Sequence, residues 1–184
     1  MRFRLCLAAA LVAATALPAA AALSVGAKAP AFSLQASLGG NVFTFDLTQA
    51  LKKGPVVLYF YPAAFTTGCT IEAHDFADAI DQYQALGATV IGVSHDPIAT
   101  LQKFSVSECR SKFAVAADTN GTVMKAYDAV LAQHPQYANR TSYVIAPDGT
   151  IVYTYTSLDP ADHVANTLNA LKAWKADHAG TPSP

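Results

Sequence analysis

Apolar residues in this chain gather into short blocks, and the spacing within each block predicts an element. The sharpest block is Val56-Val57-Leu58-Tyr59-Phe60-Tyr61, an unbroken run rich in valine and aromatics. Such a run predicts a strand buried on both faces, as in the middle of an α/β sheet. Pro62 to Gly68 carries proline, threonine and glycine, which end a strand and turn the chain. From Cys69 the spacing becomes helical: Phe76, Ile80 and Tyr83 share a face, and Gly87 closes a helix that reaches about Leu86. Thr89-Val90-Ile91-Gly92-Val93-Ser94 repeats the buried-strand pattern. Asp96-Pro97 opens the next helix, since proline suits a first turn. Ile98, Leu101 and Phe104 or Ser105 mark its face, and it runs out near Cys109.

The flanking segments are shorter. Ala31-Phe32-Ser33-Leu34 and Val42-Phe43-Thr44-Phe45 alternate around Gly39-Gly40-Asn41, which predicts a hairpin. A short helix follows over 46–53, closed by Gly54. Phe113 to Ala116 predicts a short strand and Gly121 to Tyr127 a short helix, while Ala129 to Arg140 is irregular. Thr141 to Ile145 and Ile151 to Tyr155 flank Pro147-Asp148-Gly149, an antiparallel hairpin. Asp159-Pro160 starts the last helix, in which Val164, Leu168, Leu171 and Trp174 recur at steps of three and four. The tail, 179–184, is expected to fray. The predicted order is β-β-α-β-α-β-α-β-α-β-β-α. This is an α/β fold with an N-terminal β-hairpin and a central mixed sheet covered by helices on both faces.

The first residues break this picture. Met1-Arg2-Phe3-Arg4 is basic, Leu5 to Leu17 is apolar, and Pro18 precedes Ala19-Ala20-Ala21-Ala22. The apolar stretch is shorter than the roughly 20 residues of a membrane span. It has the parts of a secretory signal peptide, 1–22, with no twin arginine and no lipoprotein pattern around Cys6. The expectation is a periplasmic protein with no membrane association and one domain over 23–184. Losing Arg2 and Arg4 lowers the 12 basic residues to ten against 13 acidic ones, so the net charge moves from −1 to about −3. No basic run or basic pI points to nucleic acid. Two cysteines stay with the domain, Cys69 and Cys109. In a secreted chain such a pair is either a structural disulfide or a redox couple.

Cys69 is placed where a buried strand hands over to a helix. Unpaired backbone N–H groups and the dipole favour an anion at a helix N-terminus, and thiols in such places ionise more readily than the ordinary value of roughly 8.5. Thr66 and Thr67 just before it are good capping types. The thiolate is the nucleophile, so this is a location for a reactive cysteine; the alternative is a small buried core thiol. In parallel sheets function gathers at strand C-terminal ends, where Ser94 and His95 also lie.

The segment Tyr59-Phe60-Tyr61-Pro62 through Cys69-Thr70-x-Glu72-Ala73, with Pro62-x3-Thr66-x2-Cys69 inside it, resembles the active-site signature of the peroxiredoxins. It is most similar to their bacterioferritin comigratory protein branch. The likeness runs from Gly26-x-x-Ala29-Pro30-x-Phe32 to the last helix and implies a thioredoxin-like fold. It implies a thiol-dependent peroxidase acting on hydrogen peroxide and alkyl hydroperoxides through a sulfenic acid at Cys69. A thiol reductant, a thioredoxin-like or glutaredoxin-like protein, is its implied partner. The chain would act as a monomer or homodimer without metal, haem or flavin. By the same resemblance Arg140 points at the sulfur, Thr66 hydrogen-bonds near it, Pro62 screens it and Glu72 helps to hold Arg140. From the residues alone, Arg140 is equally a solvated surface arginine and Glu72 a solvated helix carboxylate.

One departure matters. Much of the branch carries a second cysteine five residues after the first, and here His74 stands there. Five residues turn a helix about 140° from the Cys69 face, which disfavours a shared metal. Cys109 is the candidate resolving thiol, with bystander and structural bridge as alternatives; bridging requires Cα atoms within roughly 7 Å. No C-x-x-C occurs, which argues against a disulfide reductase. His95, His134, His163 and His178 read as loop or surface residues with no pair at metal spacing. The contrasting class is a non-catalytic binding or holdase protein of the same fold with a structural disulfide.

Overall fold

The computed structural model describes residues 22–178. The predicted signal peptide, apart from its last residue, and the predicted tail over 179–184 lie outside them. The elements are β1 Ser33–Leu38, β2 Asn41–Asp46, α1 Leu47–Leu51, β3 Val56–Phe60, α2 Thr67–Ala85 and β4 Thr89–Ser94, followed by α3 Ile98–Ser107, β5 Ala114–Ala117, α4 Thr122–Ala126, β6 Thr141–Ile145, β7 Ile151–Thr156 and α5 His163–Asp177. Their order is the predicted one. One seven-stranded sheet runs β2-β1-β5-β4-β3-β6-β7. The β3–β4 and β4–β5 pairs are parallel, and the outer pairs are antiparallel. The mixed, helix-flanked sheet of a thioredoxin-like fold is therefore present.

Strand β3 is buried at every position, as an unbroken apolar run requires. Its side chains alternate between two cores, as the two-residue period demands. Val57, Tyr59 and Tyr61 pack with α2, α3 and α5 through Phe76, Ile80, Leu101, Phe104, Leu168 and Leu171. Val56, Leu58 and Phe60 pack on the other face with Leu47 and Leu51 of α1 and Val123 and Met124 of α4. Cys69 and Cys109 both belong to the first core. Helices α2 and α3 thus lie on one face, the outcome of two crossovers of the usual hand.

Two boundaries differ from expectation. Strand β1 runs four residues past Leu34, to Leu38. Gln35-Ala36-Ser37 lacks an apolar run, yet β1 is an inner strand paired with β2 and β5. Buried Ser37 is satisfied by the Ser105 hydroxyl at 3.0 Å, so small polar residues fill an interior strand. The β1–β2 turn is Gly39-Gly40, with φ of 55° and 82°, a two-residue turn needing positive φ at both positions. Helix α5 begins at His163, and Asp159-Pro160 forms a turn before it.

Candidate active site

Cys69 is the third residue of α2 and only 2% exposed. The first intrahelical bond runs from the Thr70 amide to the Thr66 carbonyl at 2.9 Å. The amides of the first turn are therefore directed at the loop mouth without helical partners. Thr66 is the N-cap residue by backbone, but its side chain makes no cap bond. Its hydroxyl donates backwards to the Ala63 carbonyl at 2.9 Å instead, and Thr66 is exposed. The expected side-chain cap is absent because the Ala63-Ala64-Phe65-Thr66 turn competes for the same hydroxyl. Pro62 is half-buried directly after β3. The loop is tied to the end of β4 by Asp96, whose Oδ2 accepts from the Ala64 amide at 2.7 Å and from Ser94 Oγ at 2.8 Å. Phe65 holds φ at 64°, unusual for a bulky residue, with its exposed ring edge-on to Phe104 at 5.2 Å.

Arg140 is buried, 3% exposed, one residue before β6. Its Nη2 donates to Cys69 Sγ at 3.5 Å and its Nε to the Leu158 carbonyl at 3.0 Å. Its Nη1 donates to Glu72 Oε2. A Cβ on Gly68 would stand 3.1 Å from Nη2, so the glycine leaves the room the fork needs to reach the sulfur. Glu72, one turn after Cys69, is wholly buried. Neither Arg140 nor Glu72 is a solvated side chain. Burial pushes the Glu72 carboxyl up to about 8, against the pull of Arg140, with Asp75 adding slightly to the rise.

The sequence reading placed His163 at the surface; the structure corrects this. His163 is wholly buried beneath the same cluster. Its Nδ1 lies 2.8 Å from Ser142 Oγ and 3.7 Å from Glu72 Oε1, and its Nε2 faces the Ser157 carbonyl at 2.9 Å. The overlooked signal is helical spacing: His163, Thr167 and Leu171 recur every four residues and are all buried. Two neighbouring acidic residues and a proline make that stretch look like an exposed turn.

Cys109 lies just past the C-cap of α3, Glu108, and is completely buried. Its thiol is pushed well up, mainly by burial and then by the Glu108 charge. Both cysteines are free thiols. His74 does not face Cys69 for metal binding; its Nε2 pairs with Glu108 Oε2 at 2.8 Å, joining α2 to the end of α3. Arg110 and Asp78 make a second ionic link between the same segments. Among the described residues no three His, Cys, Asp or Glu side chains come together to hold a metal.

Residues 25–154 match the AhpC/TSA family. The chain is 32% identical over 152 residues to "Peroxiredoxin Q, chloroplastic" of Oryza sativa subsp. japonica, covering 82% of this chain and 68% of that protein. It is 33% identical over 151 residues to "Peroxiredoxin Q, chloroplastic" of Triticum aestivum, covering 82% and 67%. The crystal structure of Peroxidoxin BcpB from Mycobacterium tuberculosis superposes with a TM-score of 0.73 at 30% identity, over 81% of this chain and 96% of that one.

Proposed function

The chain belongs to the AhpC/TSA family and is a thiol-dependent peroxidase of the peroxiredoxin Q and bcp kind, and we propose that Cys69 is the thiol through which it reduces peroxides. The observation that carries this assignment is the Arg140 fork, which reaches Cys69 Sγ and Glu72 from a buried position. A permanent cation beside the sulfur favours its thiolate, and guanidinium donors also suit a peroxide oxygen. The thiolate attacks one oxygen of the peroxide in line with the O–O bond. An S–O bond forms, the O–O bond breaks, and the leaving oxygen takes both electrons and one proton to depart as water or alcohol. Arg140 and the first-turn amides of α2 face the charge that moves along S–O–O, where fixed donors lower the barrier. Thr66 and Pro62 shape the mouth. Cys69 is left as a sulfenic acid.

Cys109 is the proposed resolving thiol. Its thiolate attacks the Cys69 sulfur, hydroxide leaves and takes a proton, and a disulfide forms, which an external dithiol returns to two thiols. The burial of both sulfurs requires the first turn of α2 and the end of α3 to open locally, within the range of sub-global opening. The reductant is a thioredoxin-like or glutaredoxin-like protein, and the chain works as a monomer or homodimer. A periplasmic location is supported by the basic-apolar-small pattern of residues 1–22, which precede the family match at residue 25. There, reducing equivalents have to be delivered, because the compartment is kept oxidising.

Stopped-flow oxidation of the reduced mature protein by hydrogen peroxide, with a mass readout of each cysteine, tests the assignment. Cys69→Ser is expected to abolish peroxide reduction while the circular dichroism spectrum is unchanged. Turnover retained by the folded variant would remove Cys69 from its role.

A further inference from the structure

We propose that Glu72 and His163 form a proton-holding pair beneath Arg140, and that the proton they hold keeps the buried site electrically neutral when Cys69 is a thiolate. Four polar side chains meet here with almost no exposure: Cys69 2%, Arg140 3%, Glu72 0% and His163 0%. Arg140 supplies one permanent positive charge. A Cys69 thiolate cancels it. An ionised Glu72 would then leave one uncompensated negative charge in a site from which water is excluded, which proteins avoid. One proton on the pair restores balance.

The geometry supplies the place for that proton. Glu72 Oε2 is taken by Arg140 Nη1. Glu72 Oε1 is buried, makes no hydrogen bond and stands 3.7 Å from His163 Nδ1. The Nε2 of His163 faces a carbonyl, that of Ser157, so it carries the ring hydrogen and Nδ1 is free to accept. Ser142 Oγ, 2.8 Å from Nδ1, donates to a neutral ring and accepts from a charged one, so it serves either state. Burial raises the Glu72 carboxyl to about 8 and lowers His163, which puts the proton on the carboxyl at neutral pH. The other titratable groups facing the pair are Asp75 on α2 and Tyr59 on β3, with Asp159 and Asp162 before α5 acting on the ring. His163 is thus a positioning residue that acts on the sulfur through Glu72 and Arg140.

Linkage makes the inference quantitative. If Cys69 and Glu72 compete for one compensating charge, each shifts the other by the same amount. Residues one helical turn apart have Cβ atoms about 5–6 Å apart, and at an effective dielectric near 20 this coupling is about two pH units. The peroxide reaction should accordingly rise with thiolate formation and fall again above about pH 8, as Glu72 loses its proton and neutralises Arg140.

The inference rests on Cys69 being the reacting thiol, but its test needs no peroxide, so its failure is separate from a loss of turnover. The Glu72 carboxyl is followed by infrared difference spectroscopy between about pH 5 and pH 10, with Glu72→Gln identifying the band. In parallel the His163 ring is followed by nitrogen NMR. A protonated carboxyl is expected at neutral pH in the wild type, with its titration displaced about two units to lower pH in Cys69→Ser. Thiolate absorbance should move to lower pH by the same amount in Glu72→Gln. The His163 Nδ1 resonance should shift in step with the carboxyl, and this step should vanish in Glu72→Gln. A fully ionised Glu72 at neutral pH, a titration unmoved by Cys69→Ser, or a His163 resonance that ignores the carboxyl would each overturn the proposal.

Discussion

Releasing the link between His74 and Glu108 should speed formation of the Cys69–Cys109 disulfide. Cys109 is completely buried immediately after Glu108, so its sulfur reaches Cys69 only when the end of α3 lifts from α2. The His74–Glu108 pair spans that seam at 2.8 Å, with side chains 37% and 19% exposed. A half-exposed pair of this kind contributes about 1 kcal/mol to the closed state, which corresponds to about a fivefold change in the opened population. With closing faster than bond formation, the rate follows that population. His74→Ala should therefore raise the rate of disulfide formation about fivefold after one equivalent of hydrogen peroxide. Glu108→Gln should raise it at least as much, because it also removes the negative charge that helps to hold the Cys109 thiol up. The assay is rapid quench with alkylation, digestion and quantification of the Cys69–Cys109 peptide pair. A disulfide that forms at the wild-type rate in His74→Ala would refute the latch. No Cys69–Cys109 pair in any variant, with Cys69 sulfinic acid and an alkylated Cys109, would remove Cys109 as the resolving thiol.

Arg140→Ala should slow the first oxidation step by about a hundredfold or more, the usual cost of losing one such donor. It should also lower the melting temperature, because it strands Glu72 in the core at a cost of about 3–5 kcal/mol in the ionised form; stopped flow and calorimetry read the two effects. Tyr59→Phe should leave stability unchanged or raise it by up to about 1 kcal/mol in denaturant unfolding, since the buried Tyr59 hydroxyl has no hydrogen-bond partner. Glu72 makes stability depend on pH: its folded value near 8 lies above the ordinary 4.5, so the folded state holds the extra proton between the two. Its contribution is full below about pH 4.5 and is lost as pH rises towards 8, so the melting temperature should fall over that window in the wild type and fall less in Glu72→Gln.

The strand-to-helix handover at Cys69 was legible because its signals are local. An unbroken apolar run, a proline-glycine break and a helical stripe each occupy a few consecutive residues. The meeting of Arg140 with Glu72 was not readable that way, because 68 residues separate them and only the β3–β6 pairing brings them together. The family resemblance supplied that contact; spacing alone left both residues at the surface. His163 was missed for a related reason: its partners Glu72, Ser142 and Ser157 come from three other segments. Strand β1 was cut short because an inner strand was judged by apolar content, whereas Ser37 is satisfied by Ser105 of α3.

The segment after α3 shows why small side-chain changes there should govern the proposed resolution step. Arg110 and Ser111 hold φ of 50° and 57°, and consecutive left-handed residues other than glycine cost about 1–2 kcal/mol each. Two ionic links oppose that strain, His74–Glu108 and the more exposed Arg110–Asp78, together worth about 1–2 kcal/mol. The terms are of similar size and opposite sign, because opening relaxes the backbone as it breaks the links. What then keeps the segment closed is chiefly burial, with Cys109 and Phe113 packed against the aromatic layer of Tyr59 and Phe76. Exposing that apolar surface costs a few kcal/mol, so the opened form is a minor state within thermal reach. On the proposed route, the lifetime of the Cys69 sulfenic acid is set by how rarely this segment lifts, and therefore so is the chance that a second peroxide oxidises it further. His74, at the position where related chains carry their second thiol, holds that segment down: the residue that removes the short route to a disulfide also slows the long one.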